Sequence, residues 1–523
     1  MTWMGTQPLT IRAIFDRMRT VYGDNQVVDA LPEGTTRTSY RDLADRVLRL
    51  VTVLQDLGVQ PGDRVASFAN NSSRHVELYY AVPLAGAVLH MVNIRLHDDQ
   101  LEHVVADAGD TVVFVDDDLV PRLAGLSLPS VRTFVRLGKG DSGGLELLSA
   151  EDLIAEAAPA TELPELTEDM PSGMCHTSGT TGMPKAVVYT HRATYLHAMA
   201  ACMVDSLGLS ERERVLPVVP LFHACGWGLP YAAPFTGAEL VLVGGDTSPA
   251  NLARVIAEEE VTWAAGVPTI WTGLLPHAAE LPSLKVLGVG GSATPRALME
   301  AYDAHGISIL QIWGMTETTP IACTSRPRRR HAGLSPEELV EVRVRTGTIV
   351  PGLEARIVDP EGQELPWDGE TVGELECRGP WVATDYWGGA PEKFHDGWLR
   401  TGDMAAMERD GYFRIVDRSK DLVKSGGEWI SSVELEGACL AHPAVREAAV
   451  VGVRSLKWDE RPVVVASLHA PLTLAELRDF LAGRVARWWL PDDLVVVDEV
   501  AKTSVGKYDK KALRAQLGDR VLP

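Results

Sequence analysis

The chain has 523 residues, 46% of them hydrophobic, with a formal net charge of −22. One core rarely supports that length, so at least two domains are expected. So acidic a balance repels nucleic acid and anionic membranes and argues against both as partners, while small anions stay admissible where local lysines and amides override the global field.

There is no N-terminal signal pattern and no apolar run approaching a membrane span, which predicts a soluble, cytoplasmic protein without a transmembrane segment. The six cysteines, 175, 202, 225, 323, 377 and 439, include no CxxC pair. Structural zinc and a disulfide framework are therefore not expected, and most of these thiols should be small buried apolar groups.

In chain order, Leu43, Val47, Leu50, Leu54 and Leu57 recur at helical spacing and Gly58 can close that helix. Val65 to Ala69 and Val112 to Val115 then read as strands, the second buried in a mixed sheet. Such alternation implies α/β layers. Further on, Met174 to His176 and Ala186 to Tyr189 flank a glycine-rich loop. Arg326, Arg328, Arg329 and Arg330 read as a solvated loop. Met404 to Met407 and Tyr412 to Val416 form a hairpin about the Asp410–Gly411 turn. Ser431 with Glu434 and Thr473 with Glu476 are capping boxes that each open an amphipathic helix. The polar stretch Asp417 to Asp421 marks a domain boundary, with about a hundred residues beyond it for a small lid.

The loop reads TSGTTGMPK, Thr177 to Lys185. Gly179 and Gly182 permit left-handed dihedrals and close backbone approach, Thr177, Ser178, Thr180 and Thr181 supply hydroxyl donors, and Lys185 a charge. These are the needs of a polyphosphate. Met183 and Pro184 separate the last glycine from the lysine, so the loop is not of the Walker type. Ordinary turns also collect Gly, Ser and Thr. What removes that reading is five further motifs in fixed order: GGSA from Gly290, WGMTET from Trp313, TGD from Thr401, DRSKDLVKSGGEWIS from Asp417 and KTSVGK from Lys502.

Together these strings resemble the acyl-adenylating superfamily of acyl-CoA synthetases, luciferases and peptide-synthetase adenylation domains, over nearly the whole chain. The resemblance implies a large N-terminal AMP-binding domain (1–417) of layered α/β sheets with a small β-barrel, then a small mobile α+β C-terminal domain (418–523). It implies ATP, Mg2+ and CoA as cofactors and a small acid as substrate, with a homodimer possible. A carboxylate must attack the α-phosphorus of ATP, and two anions meet only where positive charge and donors hold them in line. Glu317 resembles the magnesium-binding acid, an oxygen ligand suited to a hard cation, and Thr316 a donor to the α-phosphate. Asp403 resembles the acceptor of both ribose hydroxyls, with Arg418 beside it. Gly290, Gly291, Ser292 and Ala293 resemble the wall beside adenine, and Trp313, before Gly314, the residue that stacks on it. Lys507 resembles the catalytic lysine carried in by the mobile domain. Lys420 resembles the hinge that remodels the site between steps, after which Lys424 and the loop around Gly426 and Gly427 would line the pantetheine channel.

PLFHACGWGLPY, SGGEWIS and RWWLPDD resemble the medium- to long-chain fatty acyl-CoA synthetase branch. By that resemblance Trp227 gates the acyl tunnel and His223 lies beside the reacting carboxylate. Cys225 and Gly226 depart from bulkier or more polar residues common there, and could reshape the pocket toward an aryl or branched acid. Ala186 and Ala501 also depart, without removing a catalytic group. The expected reaction is activation of a fatty or aryl-aliphatic acid to its adenylate and transfer to CoA. An amine or carrier-protein acceptor, or activation of a small oxyanion such as nitrite, stays open because the adenylate-forming half is shared.

Overall fold

The computed structural model describes residues 5–522 apart from 33, 139–144, 178–182, 390, 426–427, 504–506 and 519. Ser178, Gly179, Thr180, Thr181, Gly182, Gly426 and Gly427 thus lie outside the described residues.

Two large sheets dominate. In a seven-stranded sheet, Arg64–Phe68 runs parallel to Val88–Met91 on one side and Val112–Val115 on the other. Val112–Val115 is buried along its whole length, as a run of four apolar residues with both faces covered must be. Pro171–His176 extends this sheet and pairs antiparallel with Ala186–Thr190, so the two strands hold the phosphate loop between them as a hairpin. The loop's base is closed by Thr177 N–H donating to the Lys185 carbonyl at 2.9 Å.

In the nine-stranded sheet, Arg214–Pro217, Trp263–Gly266, Val286–Val289 and Ser308–Gly314 are parallel neighbours. Their carboxyl ends therefore open on one side, where ligands of open α/β sheets bind. The expected early helix spans Tyr40–Asp56, capped by the Ser39 side chain, with Leu43, Val47, Leu50 and Leu54 buried. It packs against the helix Ser73–Leu84.

Where a small β-barrel is expected lies a five-stranded antiparallel sheet: Glu354–Val358, Val372–Arg378, Phe394–His395, Trp398–Met407 and Phe413–Arg418. The last two are the predicted hairpin, longer than the sequence pattern showed and in register Met407 to Phe413 at its turn. Phe413–Arg418 belongs to this sheet, whereas Val423–Ser425 belongs to the C-terminal one, so the chain changes sheets within residues 419–422. In the C-terminal sheet the long hairpin Val445–Ser455 and Asp459–Leu468 is covered by the helices Ser432–Leu440 and Leu474–Leu481.

Thr473 and Glu476 form the full reciprocal capping box. Ser431 accepts from Glu434 N–H at 3.1 Å, but the Glu434 carboxylate pairs with Arg414 of the preceding domain at 2.9 Å instead of folding back. Arg328, Arg329 and Arg330 are exposed, as a solvated loop requires, and Arg326 departs from that expectation. Arg326 is half-buried and donates to the Ser206 and Leu207 carbonyls at 2.6 and 2.7 Å, while Arg328 and Arg330 sit over the Tyr412 ring. The cations here tie a loop to the Asp410–Gly411 turn, and Arg330 pairs with Asp410. Five cysteines are buried and Cys202 partly so.

Asn71 joins the two large sheets at the root of the PLFHACGWG segment. Its amide donates to the Pro217 and Val219 carbonyls at 2.8 and 2.9 Å, and its oxygen accepts from Leu221 N–H at 2.8 Å. Asn71→Ala strands three buried backbone groups. It should lower the unfolding free energy by about 2 to 4 kcal/mol, read as a drop in denaturant midpoint; a change below 0.5 kcal/mol would show that the junction does not depend on this amide.

Candidate active site

The carboxyl ends of the parallel strands deliver the motifs to one cleft. Val286–Val289 runs into Gly290 to Ala293, Ser308–Gly314 into the turn Thr316–Thr318, and Arg214–Pro217 into the loop that reaches His223. Gly314 has no freedom to be anything larger: a Cβ there would stand 1.9 Å from the Pro320 carbonyl oxygen, where the paired strand shifts register.

At the ribose end, Asp403 and Arg418 face each other in register on adjacent strands. Arg418 Nε lies 2.6 Å from Asp403 Oδ1, and the Trp313 indole N–H donates to Asp403 Oδ2 at 3.0 Å. Each carboxylate oxygen keeps a second lone pair, enough for a vicinal diol. Trp313 also meets Phe413 edge-on, with ring centroids 6.0 Å apart, so the indole is fixed before any base arrives. Gly291, Ser292 and Ala293 are exposed. Gly290 turns out to serve another ring: its Cβ would stand 2.8 Å from the Trp227 indole.

At the phosphate end, Glu317 is buried and accepts a hydrogen bond from the Tyr386 hydroxyl. Burial and the neighbouring Glu317 push the Tyr386 phenol upward, which keeps it a donor. The Glu317 carbonyl accepts from Ala383 N–H at 2.8 Å, and the Thr316 carbonyl from the Tyr189 hydroxyl at 2.8 Å, so the turn is held on both flanks. Lys185 Nζ lies 3.1 Å from Glu392 and 5.3 Å from the centre of the Tyr386 ring. Among the described residues no three His, Cys, Asp or Glu side chains gather as a metal cage. The donor set suits Mg2+, which keeps few protein ligands and takes the remainder from water and phosphate oxygens. Glu317, buried in the cleft, would offer it one carboxylate.

At the acyl end, burial pushes the His223 imidazole down to about 3, helped by the nearby charges of Lys507 and Arg95. It is neutral at physiological pH. Beyond it Ala224, Cys225, Gly226, Trp227 and Gly228 all have positive φ, from 36° to 71°. Such a left-handed run is costly for the three residues bearing side chains. Gly226 and Gly228 are dictated by space as well: their Cβ atoms would stand 2.6 Å from Leu221 and 2.5 Å from His197. The Cys225 thiol packs beside Cys175 and Tyr189.

Lys507 enters this cleft from the C-terminal domain. A Cβ on Gly291 would stand 3.4 Å from Lys507 Cε. Desolvation, then the Arg418 charge, lowers the ammonium to about 8 against the opposing pull of Asp403 and Glu317. One cation from the C-terminal domain thus comes near Gly291, Asp403, Glu317 and His223. Lys420 sits in the turn between the two sheets, its carbonyl accepting from Arg514 at 3.3 Å, its ammonium lowered by burial. Lys424 lies on the C-terminal sheet, exposed, with its ammonium 5.9 Å above the Trp429 ring centre. Sequence reasoning missed Tyr386, Glu392 and Lys393, which lie in an irregular stretch without periodicity or a recognisable string.

Family models for the AMP-binding enzyme and the AMP-binding enzyme C-terminal domain match residues 15–387 and 434–507. A medium-chain-fatty-acid–CoA ligase of Ectopseudomonas oleovorans is 41% identical, covering 98% of this chain and 97% of its own. A 3-methylmercaptopropionyl-CoA ligase of Ruegeria lacuscaerulensis is 40% identical over 99% and 98% of the two chains. Among solved structures, an anthranilate CoA ligase in complex with anthranoyl-AMP superposes with a TM-score of 0.87 at 27% identity, covering 98% of each chain. With both models matched in order and these relatives spanning the whole length, the chain belongs to the AMP-binding enzyme family.

Proposed function

We propose that this protein activates a fatty or aryl-aliphatic carboxylic acid with ATP to an acyl-adenylate and passes the acyl group to CoA, acting in the cytoplasm and releasing AMP and pyrophosphate. The observation that carries this reading is the position of Lys507, brought from the C-terminal domain to the meeting point of Gly291, Asp403, Glu317 and His223.

In this reading Asp403 takes the ribose hydroxyls, with Arg418 and Trp313 fixing its orientation. Magnesium on Glu317 would offset charge on the phosphates. The Lys507 ammonium bridges the incoming carboxylate and the α-phosphate and removes the repulsion that keeps them apart. His223, uncharged, offers a hydrogen bond to the acid without adding or subtracting charge. Trp227 closes the acyl end against Gly290. For the second step the same ammonium obstructs entry of a thiol, so the C-terminal domain must turn away. The turn at residues 419–422 carries that rotation, with Lys420 as its hinge; Arg418, expected at the start of the moving body 418–523, is paired with Asp403 in the N-terminal sheet and stays with 1–417. The turn is short, polar and tied to the C-terminal domain by the Arg514–Asp421 pair at 2.8 Å.

Incubation with ATP, Mg2+, CoA and a panel of straight-chain, branched and aryl-aliphatic acids should yield acyl-CoA with AMP and pyrophosphate for at least one acid. Adenylate and pyrophosphate without any thioester would reassign the acceptor. Lys507→Ala should slow acid-dependent pyrophosphate release by about 3 to 4 kcal/mol of barrier, several hundredfold, while leaving thioester formation from supplied acyl-adenylate largely intact. Because the free-enzyme ammonium is depressed to about 8, its charge is full at low pH and lost as pH rises. The kcat/KM for ATP in adenylation should fall about tenfold per unit above that value, and Lys507→Arg should move the fall beyond pH 10. Lys420→Pro should leave adenylation within threefold of the parent and block thioester formation, as measured by separate half-reaction assays; equal loss in both would remove Lys420 from the hinge.

A further inference from the structure

Tyr386 and the stretch from Glu392 to His395 lie at the phosphate end of the cleft. Its dipeptide Glu392–Lys393 makes two ion pairs of opposite polarity there. Glu392 Oε1 lies 3.1 Å from Lys185 Nζ, and Lys393 Nζ lies 3.8 Å from Glu317 Oε1. Each group expected to meet magnesium–ATP is thus already met by an internal charge of the ligand's own sign: a carboxylate where Lys185 would receive phosphate, and an ammonium where Glu317 would receive the metal. The Lys185–Glu392 pair is exposed at both ends, 48% and 66%, and so is held weakly; in the other pair Glu317 is buried while Lys393 is 40% exposed, and the contact between them is long at 3.8 Å.

The backbone of the dipeptide is less free than its side chains. Phe394 meets the Tyr386 ring edge-on at 5.3 Å between centroids, and His395 Nε2 lies 2.6 Å from the buried Glu376. When a divalent cation takes Glu317, the Lys393 ammonium is repelled from it yet stays beside the cleft, and the nearest anion is the triphosphate. When phosphate reaches Lys185, the Glu392 carboxylate is repelled in turn.

We propose that Lys393 is a further triphosphate-binding residue, parked on Glu317 until magnesium claims that carboxylate, and that Glu392 is an internal competitor for Lys185. This rests on the reading of the cleft as the ATP site. The two residues must then act with opposite sign on nucleotide affinity, and only on nucleotides that carry β- and γ-phosphates.

The test is equilibrium binding by calorimetry, without acid or CoA, using magnesium–ATP and AMP as probes on the full-length protein. Lys393→Met should weaken magnesium–ATP about tenfold, the loss of one charge-assisted contact, and leave AMP within twofold. Lys393→Arg should restore the ATP affinity. Glu392→Gln should tighten magnesium–ATP severalfold and leave AMP unchanged. Lys393→Gln serves as the second charge-removing variant should the methionine variant not fold, judged by its thermal unfolding. Unchanged ATP affinity in the lysine variants, equal weakening of ATP and AMP, or weaker ATP binding in Glu392→Gln would each overturn the inference. Failure of the parent protein to bind either nucleotide would instead overturn the reading of the cleft.

Discussion

An ammonium drawn out of water among Arg418, Asp403 and Glu317 is the interaction on which the rest of this molecule turns. Lys507 belongs to one folding unit and its neighbours to another. Desolvation makes its charge costly, which is why it sits near the edge of protonation, and the same desolvation makes that charge effective against anions. In the proposed reading, a cation fixed rigidly here serves the first half of the chemistry and obstructs the second, and its placement on the C-terminal domain reconciles the two demands.

The scaffold then has one task, to bring partners from several strands to one lysine of another folding unit. Parallel strands with aligned carboxyl ends do this economically, since each contributes a loop to the same cleft without crossing its neighbours. Asp403 and Arg418 use a different device, cross-strand register on an antiparallel pair, which sets their separation by backbone geometry. The Trp313 N–H bond to Asp403 ties the two systems together, so Trp313 and Asp403 keep a fixed relation.

Much of this was legible in the sequence. The helix from Tyr40, the buried strand Val112–Val115 and the hairpin about Gly411 followed from periodicity and turn chemistry, and the family strings led to Asp403, Arg418 and Lys507, which the structure brings into one cleft. Other features were not legible because they depend on tertiary neighbours. Gly290 reads as room for a base, yet it is the Trp227 indole that occupies the space. Arg326 reads as solvated with the rest of its cluster, whereas it is half-buried on carbonyls about 120 positions away in the chain. Glu434 fits a local capping box by spacing, but Arg414 offers its carboxylate a charged partner that no local pattern reveals.

The left-handed run from Ala224 to Gly228 shapes how this enzyme can diversify. Two of its five positions are closed to any side chain by both dihedral and clearance, and the other three hold theirs against a steric penalty. In the proposed reading, mutational drift toward new acids is therefore funnelled into positions 224, 225 and 227, and into the surfaces they touch, while the backbone bend itself stays invariant. A lineage could exchange what it recognises at this end without rebuilding the curve that presents it.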